Sequence, residues 1–289
     1  MFRFLMMLLL CASSSGAQQQ QRPDFSKLVE AMDKAGCVVH QDSGVKLCKQ
    51  DYKVDGKNVE AISFQPVGEG KFPGLLLIPG HATTARDWIP SGLTFARNGF
   101  AGLAVSQPNY GRSEGPGDFV GPKTLKVLTE GYRRFQRETY VDGKCMGIVG
   151  YSRGGMAASL LATQLDDLKA AVFGGGIYDF KRQYDEVTFP GIRENMKSET
   201  GMTEDAIKQR SSILRMEKLK CPVLILHGEK DINVPVSQAR LLQARLTELK
   251  KEFEIQIFPD RDHRIGPQNL YKYSLDFLKR KMIAEAARK

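Results

Sequence analysis

Two stretches of the sequence carry the pattern Gly-x-Ser-x-Gly, residues 111–115 around Ser113 and residues 150–154 around Ser152. Among 28 glycines one such match arises readily by chance, so the surroundings decide which serine could act as a nucleophile. A reactive serine of this kind needs a buried strand that delivers it into a strained turn. It also needs a helix leaving at once, so that the helix N-terminus faces developing negative charge. Gly147-Ile148-Val149-Gly150 supplies the strand ahead of Ser152, and Gly154-Gly155-Met156-Ala157-Ala158 supplies a helix start small enough to pack closely. Ser113 has neither, with Pro108-Asn109-Tyr110 before it and Gly115-Pro116-Gly117-Asp118 after it. It is expected in a mobile surface loop with no nucleophilic role.

A serine hydroxyl is a weak nucleophile near neutral pH and needs a base, which in turn needs a carboxylate to orient it. Behind an elbow serine the chain order is acid and then histidine, each on a loop that leaves the carboxyl end of a later strand. Asp231 follows an apolar run ending at Leu226, and His263 follows the last strand candidate, residues 253–258. Taken singly, Asp231 reads equally as a turn or cap residue, Asp179 is a rival acid, and a lone histidine is more often a surface residue. Their order at three strand ends makes Ser152, Asp231 and His263 the expected nucleophile, acid and base. Two backbone N–H groups would form an oxyanion hole. They are expected from Arg153, directly after the nucleophile, and from His81, with Ala82 the alternative, in Pro79-Gly80-His81-Ala82-Thr83-Thr84. The side chains of His81 and His227 read as structural.

Elements able to position these residues are visible along the chain. Short continuous apolar runs at 72–78, 100–105, 145–149, 170–173 and 221–226 fit strands buried on both faces. Helical patterns lie among them at 86–98, 123–139, 156–165 and 238–250, after a first helix from Asp24 towards Gly36 and before a last one over 268–287. This alternation predicts a doubly wound, mostly parallel α/β sheet. An antiparallel hairpin of residues 45–54 and 57–65, turning at Asp55-Gly56, is expected to open it. One domain spans residues 23–289 in this reading. It is interrupted at 176–220, a polar stretch of about 45 residues where a single helix would normally suffice, which reads as a small helical cap.

Composition narrows the partners. The chain has 289 residues, 42% of them hydrophobic, enough for a sizeable core, and 42 Lys+Arg against 33 Asp+Glu leave +9. Such an excess suits nucleic acid, an anionic membrane surface or an acidic substrate. Its densest pieces, at 218–220, 250–251 and 279–281, fall on helix ends and come with no nucleic-acid motif or stacking platform, so a nucleic-acid partner is not expected. Residues 1–17 read as a signal peptide, with Arg3, an apolar run over 4–12 and small residues ending at Ala17. Export to the periplasm or medium is therefore expected, without lasting membrane insertion; Cys11 as a lipid-attachment site is the competing reading. Signal removal takes away only the charge of Arg3, so the basicity belongs to the rest of the chain. Cys37 and Cys48 flank a polar stretch and are candidates for a loop-closing disulfide, while Cys145 and Cys221 begin apolar runs and read as buried thiols. No Cys/His spacing suits a metal and no motif calls for a cofactor, so neither is expected. The oligomeric state is left open.

From residue 73 to 278 the order of these features resembles the α/β-hydrolase superfamily. It is most similar to the catalytic domain of the prolyl oligopeptidase family and to dienelactone-hydrolase-like esterases. Gly150-Tyr151-Ser152-Arg153-Gly154-Gly155 carries the resemblance, with Cys221-Pro222-Val223-Leu224-Ile225-Leu226-His227-Gly228-Glu229-Lys230-Asp231, Val234-Pro235 and Asp262-His263. It implies Ser152 as nucleophile, Asp231 as acid and His263 as base, in agreement with the reading of the residues. Three departures bear on substrate. The segment ahead of Phe72 is too short for the propeller of prolyl oligopeptidases. Gly80-His81-Ala82-Thr83 has no counterpart of the tyrosine those peptidases offer to the oxyanion. Dienelactone hydrolases use cysteine where Ser152 stands. The expectation is an exported serine hydrolase acting on small carboxylic esters through an acyl-enzyme. An aminopeptidase or small-peptide amidase comes second; it would need a carboxylate for the substrate amine, with Glu114, Asp118, Asp179, Glu186 and Glu194 as candidates. A non-catalytic binding protein on the same scaffold comes third.

Overall fold

The computed structural model describes residues 24–284, so the expected signal peptide of residues 1–17 lies outside the described residues. Helix α1 (Ser26–Ala35) begins where Asp24 Oδ1 accepts the Ser26 N–H at 2.9 Å. Five short strands follow: β1 (Cys37–Val39), β2 (Lys46–Lys49), β3 (Tyr52–Val54), β4 (Lys57–Val59) and β5 (Ala61–Gln65). The expected hairpin of residues 45–54 and 57–65 is thus broken in two. β3 and β4 pair around Asp55 and Gly56, both at positive φ (50° and 77°), as a separate two-stranded sheet, while β2 and β5 pair inside the main sheet. Polar side chains make the break. Asp51 Oδ1 takes the Ala61 N–H at 3.1 Å, and the Glu60 carboxylate turns inward to accept from Arg86 and Ser106. β1 was not expected. It pairs with β2 so that Cys37 stands opposite Cys48, and the two cysteines form a disulfide.

The remaining elements alternate: β6 (Phe72–Ile78), α2 (Ile89–Arg97), β7 (Ala101–Val105), α3 (Pro122–Phe135), β8 (Val141–Tyr151), α4 (Arg153–Ala162), β9 (Leu168–Gly174), α5 (Phe180–Glu186), α6 (Pro190–Thr200), α7 (Glu204–Arg210), β10 (Val223–Gly228), α8 (Ser237–Glu248), β11 (Phe253–Phe258) and α9 (Pro267–Leu278). The main sheet has nine strands in the order β1-β2-β5-β7-β6-β8-β9-β10-β11, and β6 to β11 are mutually parallel. Both faces of the parallel strands are covered, which is why they read as continuous apolar runs rather than alternating ones. In β6, Leu76 and Ile78 belong to one buried cluster with Leu128 of α3, Leu161 of α4 and Leu242 of α8. Leu75 and Leu77 pack on the opposite face with Met32 of α1, Phe95 of α2 and Phe277 of α9. The architecture is the doubly wound, mostly parallel sheet that the alternation predicts.

Residues 176–220 hold α5, α6, α7 and a 3₁₀ turn, Ser212–Lys218. This insertion is rooted in the body of the protein through the fully buried Tyr178, Phe180, Met196 and Met216. Gln238 of α8 fixes its start, its Oε1 accepting from the Tyr178 and Asp179 N–H groups. Helix α2 starts three residues later than expected because Thr84 and Asp87 close a side-chain turn ahead of it. Helix α4 starts three residues earlier, at Arg153, immediately behind Ser152. Cys145 and Cys221 are buried thiols, and no helix among the described residues is long and apolar enough to cross a membrane.

Candidate active site

Ser152 sits between the end of β8 and the start of α4 with φ 56° and ψ −122°, a backbone conformation that a side-chain-bearing residue adopts only when its surroundings impose it. Here the neighbours impose it. The Ser152 N–H donates to Gly174 O at 2.7 Å, and the chain must pass so close to itself that a Cβ at Gly150 would lie 2.0 Å from Gly154 O. One at Gly154 would lie 2.0 Å from Ile78 O, so only glycine fits at either position. The glycines flanking the serine are therefore a steric requirement of the turn. A third glycine, Gly80, brings the loop behind β6 against the serine, since a Cβ there would lie 3.2 Å from Ser152 Cβ.

Three loops leaving the carboxyl edge of the parallel strands meet at this turn. His263, from the loop behind β11, has Nε2 2.8 Å from Ser152 Oγ and Nδ1 2.7 Å from Asp231 Oδ2. Asp231, from the loop behind β10, is buried, and its Oδ1 accepts the N–H groups of Asn233 and Val234, each at 2.9 Å. Burial opposes ionisation of this carboxyl. The hydrogen bonds from His227 and His263, the attraction of His263 and the Val234 N–H outweigh it and hold the pKa down at about 2. The carboxylate is therefore ionised at neutral pH and fixes the Nδ1–H tautomer of His263, which leaves Nε2 free to accept the Ser152 proton.

Two side chains outside the expected triad support this arrangement, Tyr151, which carried no such signal in the sequence, and His227, which reads as structural there. The Tyr151 hydroxyl donates to His263 O at 2.6 Å, so the residue next to the serine anchors the backbone of the histidine. His227 is fully buried, with Nε2 2.8 Å from Val234 O and 3.4 Å from Asp231 Oδ2. Facing two acceptors, Nε2 carries the ring proton, and the ring closes the acid loop, which gives the structural histidine of β10 its task.

Arg153 is the first residue of α4, and its N–H is among those a helix leaves without an intrahelical acceptor. His81 lies in the loop behind β6, followed by Ala82 at φ 54°. Asp179 stands apart from the triad geometry and caps α5 by accepting the Arg182 N–H at 3.0 Å. Ser113 departs from expectation: it is buried rather than on the surface. Its Oγ donates to Ser106 O at 2.7 Å and accepts the Glu60 N–H at 2.9 Å, which pins the loop. Of the candidate amine-binding carboxylates, Glu114 accepts from Asn58, Asp118 caps α3, Glu186 accepts from Arg182 and Ser237, and Glu194 is exposed on α6. The carboxylate that reaches the elbow is one not expected, Glu199 at the end of α6, which is paired with the Arg153 guanidinium.

Comparison with known proteins agrees with this architecture. Residues 120–284 match the prolyl oligopeptidase family. The chain is 28% identical over 230 residues to the uncharacterized peptidase YtmA of Bacillus subtilis, covering 78% of this chain and 88% of that one. It is also 28% identical over 227 residues to acyl-coenzyme A thioesterase 3 of Mus musculus, covering 72% and 51%. Among solved structures, an acylaminoacyl peptidase of Pyrococcus horikoshii superposes with a TM-score of 0.72 at 20% identity, over 82% of this chain and 42% of that one, so this chain spans less than half of it. An acetyl xylan esterase from Paenibacillus sp. R4 gives 0.71 at 17% identity, over 88% and 92%. The α/β-hydrolase fold is common to these structures and this one. With more than half of its length matched and the serine turn inside the matched part, the chain belongs to the prolyl oligopeptidase family of serine hydrolases.

Proposed function

We propose that the protein is an exported hydrolase of small carboxylic esters, with Ser152 as nucleophile, His263 as general base and acid, and Asp231 as the group that orients the imidazole. The observation that carries the reading is the continuous hydrogen-bonded chain from Ser152 Oγ through both nitrogens of His263 to Asp231. In this mechanism His263 Nε2 takes the Ser152 proton as Oγ attacks the ester carbonyl, and the imidazolium is stabilised by the ionised Asp231. The backbone N–H groups of Arg153 and His81 receive the oxyanion. The proton on Nε2 then passes to the leaving alcohol, and water repeats the cycle on the acyl group.

Ester rather than aminopeptidase chemistry is favoured because four of the five candidate carboxylates, Glu114, Asp118, Asp179 and Glu186, already serve asparagine, helix caps or an arginine-serine pair, and Glu199 is matched by Arg153, which leaves the exposed Glu194 for the peptidase reading. The peptidase reading draws on the family match and on relatives named as peptidases. Export rests on the signal-like residues 1–17 and on the Cys37–Cys48 disulfide, a bond that persists in oxidising compartments. Wild type and Ser152→Ala assayed on p-nitrophenyl acetate and on aminoacyl p-nitroanilides test both parts. Ester turnover that vanishes in the variant is expected. Equal rates in wild type and variant would overturn the nucleophile, and faster arylamide than ester cleavage would overturn the substrate class.

A further inference from the structure

The two residues assigned as backbone oxyanion donors, Arg153 and His81, come from different loops, and their side chains are joined. Glu199 Oε1 accepts from Arg153 Nη1 at 3.0 Å, and its second oxygen accepts from Nη2. The same Nη1 donates to the Tyr110 hydroxyl at 3.0 Å, and that hydroxyl lies 2.7 Å from His81 Nδ1. Because the guanidinium can only donate, the Tyr110 oxygen accepts from it, and the Tyr110 proton is available to His81 Nδ1 when the ring carries its own proton on Nε2. Burial and the nearby Arg153 cation hold the His81 pKa below its ordinary value, so the ring is neutral near pH 7 and Nδ1 can accept. The hydrogen bonds thus run without a break from Glu199 through Arg153 and Tyr110 to His81.

We propose that Glu199 and Tyr110 are positioning residues of the oxyanion hole, which set the separation of the Arg153 and His81 backbone donors by holding the two side chains together. The inference rests on the assignment of those two N–H groups in the proposed mechanism. Several features make the link stiff. The Arg153 side chain is 4% exposed, with its guanidinium carbon 4.4 Å from the Phe119 ring centre and 5.5 Å from that of Tyr110. Glu199 also accepts the Phe119 N–H at 2.7 Å, and Arg210 of α7 donates to the carbonyls of Asp118 and Phe119. Phe119 and Val120 both have positive φ, 44° and 60°, so this loop is held in shape by its contacts. A buried guanidinium deprived of its carboxylate moves towards water, and Arg153 carries the backbone of the first turn of α4 with it. Residues 176–220 thus contribute to the reaction through the carboxylate of Glu199.

The test uses Tyr110→Phe, which keeps the ring and removes the hydroxyl, and Glu199→Gln, which keeps the shape and removes the charge. Each is assayed on an ester and on its thionoester, in which sulfur replaces the carbonyl oxygen and is poorly held by an oxyanion hole. Complete removal of an oxyanion donor lowers kcat about 10²- to 10³-fold, so loosening one is expected to lower ester kcat about 10-fold in Tyr110→Phe and about 30-fold in Glu199→Gln. KM should stay within about twofold, and the ester-to-thionoester ratio of kcat/KM should fall. An unchanged ratio overturns the proposal, whether both substrates slow equally or neither slows, and so does a rise in KM at constant kcat. Ser152→Ala run in parallel separates the two ideas. If that variant keeps full activity, the proposed mechanism itself fails; if it is inactive while the ratio is unmoved in the other two, only the positioning role fails.

Discussion

Replacing Asp231 by asparagine changes one atom and should inactivate the enzyme by reversing a tautomer. Asp231 Oδ1 receives two backbone N–H groups at 2.9 Å, so an asparagine must put its oxygen there and its NH₂ in the place of Oδ2. The opposite orientation would set amide protons against both of those N–H donors, at about 1–3 kcal/mol for each unsatisfied group, whereas this one sets them against the more distant His227 Nε2–H at 3.4 Å. The NH₂ then stands 2.7 Å from His263 Nδ1, which must give up its proton to accept. The ring proton moves to Nε2 and points at Ser152 Oγ, so the base cannot take the serine proton. Simple loss of one charged hydrogen bond, about 1.5–3 kcal/mol, would slow the reaction about 10- to 150-fold. The wrong tautomer is expected to lower kcat about 10⁴-fold, or about 5.5 kcal/mol, with an unchanged circular dichroism spectrum at neutral pH as the sign that the fold is intact. The assay is steady-state hydrolysis of p-nitrophenyl acetate by purified wild type and Asp231→Asn. A loss smaller than about 100-fold would refute the tautomer argument, because hydrogen-bond loss alone would account for it.

The same carboxylate makes stability depend on pH. Its pKa is depressed from an ordinary value near 3.8 to about 2, so its contribution of about 2 kcal/mol is present above pH 4 and disappears as pH falls through 2; urea titrations across that window should show the loss in wild type and a flatter profile in Asp231→Asn. The Cys37–Cys48 disulfide closes a short loop, and its replacement by a pair of alanines, or its reduction, should lower unfolding free energy by about 2–3 kcal/mol with kcat unchanged, measured by denaturant titration with and without dithiothreitol. Expression of the full chain in an exporting host should yield a mature protein whose N-terminus, read by mass spectrometry, is Gln18; a retained Met1 or a lipid-modified Cys11 would contradict the signal reading.

The core of the site was legible because local chemistry dictates it. The glycines at 150 and 154 are demanded by contacts closer than any side chain allows, and buried strands must be written as apolar runs, so the residues just beyond β8, β10 and β11 could be located by counting. What escaped is set by residues distant in sequence. The hairpin reads as continuous over 45–65 until Glu60 is drawn inward by Arg86 and Ser106, neither of which is marked as its partner by any spacing. Ser113 sits among glycines that suggest a mobile surface, yet it is fixed by the Glu60 main chain across a separation of 53 residues. Glu199 is one acidic residue among many on a polar stretch, and its importance appears only when α6 is seen against the start of α4.

The bond from the Tyr151 hydroxyl to the His263 carbonyl has a mechanical consequence. Tyr151 and Ser152 are consecutive, so the end of β8 carries both the proposed nucleophile and the clamp on the loop that presents its proposed base. That strand end therefore bears on their 2.8 Å separation from both sides, through Ser152 itself and through the Tyr151 clamp on the His263 backbone. The reacting distance is referenced to a single piece of backbone instead of being the difference between two independently moving loops. A Tyr151→Phe variant therefore loses a shared frame while every atom of the hydrogen-bonded chain from Ser152 to Asp231 stays in place.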